Sequence, residues 1–442
     1  MDNLTVYFLT FNCARNLVDI NWFAAHFFDA LPLTDTSNPP ELIALSLQEI
    51  APIAYSFLGG SFLVPYLARF NQVVESAVAK QWENTQYVNL KTKNVGMTAL
   101  MVFARTDIAV QISSVVSAEV GFGLQEMGNK GAVGARVTYS LANDATMDLT
   151  FLAAHLAPME NAVGQRNDDW RSMVERLVFR RPIRAAERNP EVADDSESTA
   201  LLHDSTATVD DEPDGIFNST GYLFLAGDLN YRTSDVSPQK DDQSRFPKIL
   251  ADPTSSRHYS NLLKEDQLAR EMGESRTFHG LSEAPITFPP TYKYTSAARQ
   301  AACDTTLADE SQEWLWTSTR WPSWCDRVLY LEYPLGTGSD GRVSPLRYTS
   351  LPLFPTSDHR AVALSISVPV RPMRPGDGAT RLAAPFSIDP EWERKREVAR
   401  KKELVVGCLA YFGCTWEGNA VLVSSIVGVL GAWLVLRSLL NG

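Results

Sequence analysis

Eight short runs in this chain are apolar along nearly their whole length: VYFLTFN (6–12), LIALSLQE (42–49), MTALMVFAR (97–105), GAVGARVTY (131–139), LTFLAAHL (149–156), YLFLAGDLN (222–230), RVLYLEY (327–333) and AVALSISV (361–368). A strand with one wet face alternates apolar and polar residues, whereas a run without alternation fits a strand covered on both faces. Helical periodicity around 22–31, 66–82 and 165–179 supplies the covers. The pattern predicts a layered α/β domain, sheets inside and helices outside, and no internal repeat is visible.

The chain has 442 residues, 45% of them apolar and 21% charged, which is the composition of a globular protein with a sizeable core. Its formal net charge of -12 argues against a general nucleic-acid binder, whose phosphate contacts need clustered Lys and Arg. Between Arg184 and Asp214 ten acidic residues face two basic ones, 10 − 2 giving -8, so two-thirds of that charge lies in one polar stretch. Residues 184–215 carry too few large apolar side chains to offset ordering entropy and read as a disordered insert. A Pro-, Arg- and Gly-rich stretch at 368–385 closes the globular part, and the charged 391–403 that follows reads as helical. The expected division is therefore a domain over 1–370, a linker and basic juxtamembrane segment over 371–403, and a hydrophobic tail over 404–442.

In that tail, 420–436 (AVLVSSIVGVLGAWLVL) has no charge, and 17 residues of helix span roughly 26 Å. That is close to the thin endoplasmic reticulum bilayer, about 27 Å of hydrocarbon. A buried core helix with no polar face has little place after a finished domain. Arg394, Lys395, Arg396, Arg400, Lys401 and Lys402 lie upstream and keep the preceding domain cytosolic by the positive-inside rule. The expectation is a C-terminal tail anchor in the endoplasmic reticulum membrane. The preceding 404–416 is too short to span alone and either lies in the interface or extends the anchor, with Cys408 and Cys414 open to acylation or to burial. Five cysteines without a CxxC pair suggest a reducing compartment, and MDNLTVYFLTFNCAR has neither the basic nor the long apolar region of a signal peptide.

Several of the apolar runs end in a group that can do chemistry: Asn12, Glu49, His155, and Asp228 with Asn230. Asp326 opens another run, and Asp358 with His359 precede the last. Taken singly, Gly227-Asp228-Leu229-Asn230 is an ordinary turn and each histidine an ordinary structural one. Six strands that each deliver an acid, amide or imidazole at an end are a far less probable coincidence. GxSxG, HExxH and GxxxxGK[ST] are all missing, so serine-hydrolase, zinc-protease and P-loop chemistries lack their groups. Carboxylates and amides without clustered Cys or His favour a hard, oxygen-liganded ion, Mg²⁺ rather than Zn²⁺, and such a site suits phosphate-ester hydrolysis by in-line water attack.

FN (11–12), LQEI (47–50), MGNKGAV (127–133), HLA (155–157) with RNDDW (166–170), GDLNYR (227–232), PPTYKY (289–294), PSWCDRV (322–328) and SDHRAV (357–362) occur in the order found in the inositol polyphosphate 5-phosphatases, which they resemble. These belong to the endonuclease/exonuclease/phosphatase superfamily, and the resemblance covers roughly 4–368. It implies a four-layer α/β/β/α sandwich of the DNase I-like type, here followed by a C-terminal transmembrane helix, and Mg²⁺-dependent removal of a 5-phosphate. With its hydrophobic tail the chain most resembles tail-anchored fungal enzymes that convert phosphatidylinositol 4,5-bisphosphate to phosphatidylinositol 4-phosphate. The implied partners are a phosphoinositide substrate and a membrane, not nucleic acid.

By the same resemblance Glu49 holds Mg²⁺ with Asn12 in its shell. Asp228 orients and deprotonates the attacking water, Asn230, His155 and His359 bond phosphoryl oxygens, Asp326 holds His359 in its tautomer, and Asp358 completes the polar shell. Tyr292, Lys293 and Arg320 match contacts to the neighbouring ring phosphate, and Lys130 lies in a loop expected to meet phosphate or membrane. The sequence departs from the family at AAHLAPM, where NSHLAAH is usual, at Ser318 in place of a Lys, and at Leu225-Ala226 in place of the Trp before GDLNYR. A nuclease or sphingomyelinase of the same fold, and a non-catalytic lipid-binding tether, are the alternative readings.

Overall fold

The computed structural model describes residues 2–32, 38–142, 145–180, 214–217, 221–248, 251–304, 316–334, 341–371 and 384–440. Among these residues twelve strands form two mixed six-stranded sheets. The first contains β1 (Asn3–Asn12), β2 (Leu42–Gln48), β3 (Tyr87–Val95), β4 (Thr98–Arg105), β11 (Ser344–Leu353) and β12 (Arg360–Pro369), in the order β11-β12-β1-β2-β4-β3. The second contains β5 (Ile112–Gly121), β6 (Gly131–Ser140), β7 (Thr146–His155), β8 (Gly221–Asp228), β9 (Leu281–Glu283) and β10 (Asp326–Leu331), in the order β5-β6-β7-β8-β10-β9. The major helices are α1 (Ile20–His26), α2 (Ile53–Leu58), α3 (Val64–Gln81), α5 (Val163–Arg176), α9 (Trp392–Cys414) and α10 (Trp416–Leu440). Shorter ones are α4 (Thr106–Ala109), α6 (Tyr259–Leu263), α7 (Gln267–Gly273) and α8 (Ser296–Asp304).

The pleat explains why the inner strands are apolar on both sides. In β1, Leu4, Val6 and Phe8 enter the core between the sheets, where Phe8 meets Phe151 edge-on at 5.6 Å. Tyr7, Leu9 and Phe11 point the other way into a second core against Phe23 of α1 and Phe70 and Val73 of α3. A third core lies outside the other sheet, where Trp170, Met173 and Val174 of α5 cover Leu223 and Leu225. Three apolar interfaces separate four layers, helix, sheet, sheet and helix, as expected from the DNase I-like type.

Two boundaries differ from the sequence reading. The charged 391–403 is not part of a linker: it begins α9, which runs unbroken through the expected break at 403/404 and packs on α2. Most of the acidic insert lies outside the described residues, as does most of 368–385. Its end is fixed, however: Asp214 pairs its backbone with Phe179 and takes the buried Arg136 guanidinium at 2.5 Å, and Gly215 O accepts from the same guanidinium at 2.6 Å. The uncharged 420–436 lies inside the longer α10, 25 residues that are long and apolar enough to cross a membrane; Gly418 at its start is buried and Glu417 accepts Tyr55 Oη–H at 3.2 Å, while its most apolar stretch is not buried among the described residues. Cys13, Cys325, Cys408 and Cys414 are free thiols.

Candidate active site

Strand direction gathers the polar ends at one pole. β1 runs parallel to β2, and β7 parallel to β8, so Asn12, the turn residue Glu49, His155 and Asp228 arrive at strand C-termini. β10 and β12 run antiparallel to their neighbours and contribute their starts, Asp326 and the preceding His359. Register aligns the middle three: His155 pairs with Asp228 across β7 and β8, and Asp228 with Asp326 across β8 and β10. Gly227 allows that alignment, because a Cβ there would lie 2.0 Å from Ala154 O. Glu49 (φ 46°) and Asn230 (φ 56°) adopt left-handed backbone, a costly conformation for residues with a Cβ, and turn the chain sharply just beyond their strands.

The two sheets meet at Asp228. Asn12 Nδ2 donates to its Oδ2 at 2.9 Å, and His155 Nε2 lies 3.3 Å from the same oxygen. Lys130 Nζ touches His155 Nε2 from the other side. Burial, reinforced by Lys130, lowers the His155 pKa, so the ring is neutral near pH 7. Burial opposes ionisation of Asp228 too, but His155, His359 and Lys130 together hold its carboxyl well below the usual range. Across the pocket, His359 Nδ1 is 2.9 Å from Asp326 Oδ2, which also accepts Thr291 Oγ1 at 2.6 Å. Burial again disfavours the charged ring, yet Asp326, with Asp228 and Asp358, outweighs it and raises the His359 pKa to about 9. The two histidines therefore differ in charge because their nearest neighbours do.

Asp358 leaves the His359 pair and bonds Lys293 Nζ at 2.8 Å. Tyr292 packs on His359 in a tilted contact with ring centroids 4.5 Å apart and lies beneath the Arg232 guanidinium at 4.4 Å. Burial disfavours the charged Lys293, but Asp358 and Tyr292 outweigh it and the nearby Arg320 and raise its pKa; Arg320 itself reaches toward Glu160 at 3.8 Å and Met159 Sδ at 3.3 Å. Asn230 is partly committed within the protein: its Nδ2 donates to Leu156 O at 3.1 Å and its Oδ1 accepts from Arg232. One amide hydrogen is left for a ligand.

Two buried carboxylate oxygens, Asp228 Oδ1 and Asp326 Oδ1, have no hydrogen-bond partner. Two such atoms make an oxygen-rich corner that fits a hard divalent cation. Asp228, Asp326 and His359 could themselves bring three donor atoms within 4.8 Å of one another. A His359 ring kept protonated by Asp326 has no lone pair for a metal, which leaves the two carboxylates as the oxygen donors of that group. Glu49 is paired with the exposed Arg15 at 3.2 Å, and Asn12 Oδ1 takes Ala14 N–H at 3.0 Å, each leaving acceptor capacity.

Sequence reasoning did not assign the residues that hold these in place. Arg232 braces Asn230 and Tyr292, Thr291 bonds Asp326, and Ser357 joins Asn12 O (2.6 Å) to His359 N–H (3.1 Å). All three lie inside the quoted motifs, which was the available signal. Glu403 in α9 had none: it accepts Gly128 N–H at 2.9 Å, two residues from Lys130 and 275 positions away in the chain.

Two stacked mixed sheets between helices, with acids, amides and imidazoles at one pole, define a DNase I-like α/β/β/α protein. A model of the "Endonuclease/Exonuclease/phosphatase family 2" matches residues 9–365. The chain belongs to that family, on its inositol polyphosphate 5-phosphatase branch. It is 27% identical over 353 residues to type II inositol polyphosphate 5-phosphatase 15 of Arabidopsis thaliana, covering 75% of this chain and 29% of that one. It is 29% identical over 277 residues to inositol-1,4,5-trisphosphate 5-phosphatase 1 of Schizosaccharomyces pombe, covering 62% and 19%. This chain thus spans less than a third of the length of these curated relatives. Among solved structures, the inositol polyphosphate 5-phosphatase domain of SpSynaptojanin, in complex with inositol (1,4)-bisphosphate and calcium ion, aligns over 92% of this chain and 90% of its own with a TM-score of 0.57 at 22% identity.

Proposed function

We propose that this chain is a divalent-cation-dependent phosphatase that removes the 5-phosphate of phosphatidylinositol 4,5-bisphosphate, working from a tail anchor in the endoplasmic reticulum membrane. The observation that carries this reading is the aligned His155, Asp228 and Asp326 with a protonated His359 facing them. His359 and Lys130 bring donors to a phosphoryl group, and neutral His155 and the spare amide hydrogen of Asn230 add uncharged ones. Asp228 is ionised and orients the attacking water along the line to phosphorus. A carboxylate held this far below its usual range is a weak base, so it takes the water's proton late, as charge builds on the phosphoryl oxygens. Glu49 and Asn12 would hold Mg²⁺, which supplies charge neutralisation to the ester. Tyr292, Lys293 and Arg320 are placed to read a neighbouring ring phosphate, with Lys293 exchanging Asp358 for it.

The test is phosphate release by the full chain in lipid vesicles across the phosphoinositides, with DNA and sphingomyelin as controls. Release from the 4,5-bisphosphate that EDTA abolishes and Mg²⁺ restores is expected. Cleavage of DNA or sphingomyelin instead, or EDTA-resistant release, overturns the reading.

A further inference from the structure

α9 has two unlike faces. On the inward one Ala399, Glu403 and Gly407 are buried. Glu403 is fully buried: it accepts Gly128 N–H and pairs with Arg396 at 2.8 Å and Arg400 at 3.2 Å, while Arg396 also reaches Glu119 at 3.1 Å. Arg400 donates to the carbonyls of Phe57 (2.6 Å) and Leu58 (3.3 Å) at the end of α2. A Cβ on Gly407 would meet Phe57 Cβ at 3.0 Å, so the helices cross almost backbone to backbone. One turn further on, Tyr411 packs on Phe62 at 5.4 Å. The inward face is thus held from Arg396 to Tyr411.

Among the described residues nothing covers the outward face. Leu404, Val405, Cys408, Leu409 and Phe412 recur at helical spacing and form one apolar stripe, with Val405 60% and Leu409 70% exposed. Lys401 is exposed beside it, and a single non-helical residue, Thr415, separates α9 from the bare apolar α10. Trp416, at the junction, is 77% exposed.

We infer that the outward face of α9 is a lipid-docking surface: the helix lies in the membrane interface and, being bonded to the domain along its inward face, sets the pose of the catalytic domain on the bilayer. Three features choose a bilayer over a protein partner. α10 leaves α9 no loop with which to stand away from the membrane, the lysine beside the stripe suits anionic headgroups, and Trp belongs at the boundary between lipid and water. Glu403 ties this surface to the Gly128–Lys130 loop, so docking and pocket share one rigid element. The inference rests on the membrane reading above and not on catalysis.

The experiment uses the full chain in vesicles of phosphatidylcholine and phosphatidylserine, with Cys303 and Cys414 changed to Ser and the exposed Cys408 carrying a bimane fluorophore. Controls carry Cys408→Ser with the label at Val427→Cys in α10, or at Val110→Cys at the far pole of the sheets. Brominated lipid should quench Cys408 and Val427 but not Val110, and aqueous iodide should quench Cys408 several-fold less than Val110. Quenching of Val427 by bromolipid without that of Cys408, with full access of iodide to Cys408, overturns the docking and leaves the anchor standing. Protection of Cys408 from iodide without bromolipid quenching also overturns it, and an oxidative cross-link through Cys408 between chains of the unlabelled protein then assigns the face to a second copy. Failure of bromolipid to quench Val427 removes the membrane reading and the inference with it.

Discussion

Asp228 is the residue on which most of the site's contacts converge, since Asn12, His155 and the Asp326 strand all meet it. Its change to Ala removes the oxygen proposed to orient the water and leaves Lys130 and the protonated His359 without this counter-charge. Turnover by Asp228→Ala should fall by at least about 10³, the size of single-group effects in preorganised sites. Near-normal phosphate release would remove Asp228 from the mechanism. A second buried acid makes a prediction about stability. Asp169 caps the turn after His155, accepting Ala157 N–H at 2.8 Å and Gln165 Nε2 at 3.1 Å, and burial raises its pKa to about 6. A raised folded-state pKa means stability that is fully present below the unfolded value of 3.8 and lost as pH rises through 6. Between those limits the wild type should lose about 3 kcal/mol relative to Asp169→Asn, from a shift of about two units. Denaturant melts of the two proteins at pH 4, 5, 6 and 7 measure this, and parallel profiles would refute it.

At the level of elements, the eight runs read as strands are all eight interior strands of the two sheets, and the four unread strands, β3, β5, β9 and β11, are the four edges. Double-sided burial leaves a continuous apolar signature. An edge strand such as YVNLKTKNV keeps half its surface in water and carries polar side chains, which also discourage pairing with other chains. The helix α9 was legible as helix but not as part of the domain, because Arg396, Arg400 and Glu403 look like an ordinary charged face until their partners are known. Glu403→Ala would leave two guanidinium groups and the Gly128 N–H short of an acceptor. A stability loss of about 3 kcal/mol is expected from breaking a buried pair, seen as a lower melting temperature. Glu403→Gln should recover part of it by restoring one acceptor. A melting temperature unchanged in Glu403→Ala would mean that α9 is not held through this residue.

For the molecule as a whole, the proposed function has the tail and the pocket serve one lipid substrate. A chain ending at Thr415 should lose alkali-resistant membrane association. It should hydrolyse vesicle-borne lipid at least about tenfold more slowly at low lipid, because anchoring raises the effective concentration of substrate, while its rate on a soluble headgroup stays the same. Equal loss on both substrates would show that α10 supports the fold and not the encounter. What the sequence by itself determined is local: which segments are covered on both faces, which ends carry acids, amides and imidazoles, and where a 17-residue uncharged run lies. These are legible because periodicity and residue type report burial and chemistry without reference to any partner. The tertiary structure alone decided that parallel strands deliver their ends, and antiparallel ones their starts, to one pole. It also decided that His155 is neutral while His359 is charged, and that Glu403 reaches a loop 275 residues away. Each of these depends on register and on the distance between groups remote in the chain, and a pKa or an ion pair has no value until that distance is set.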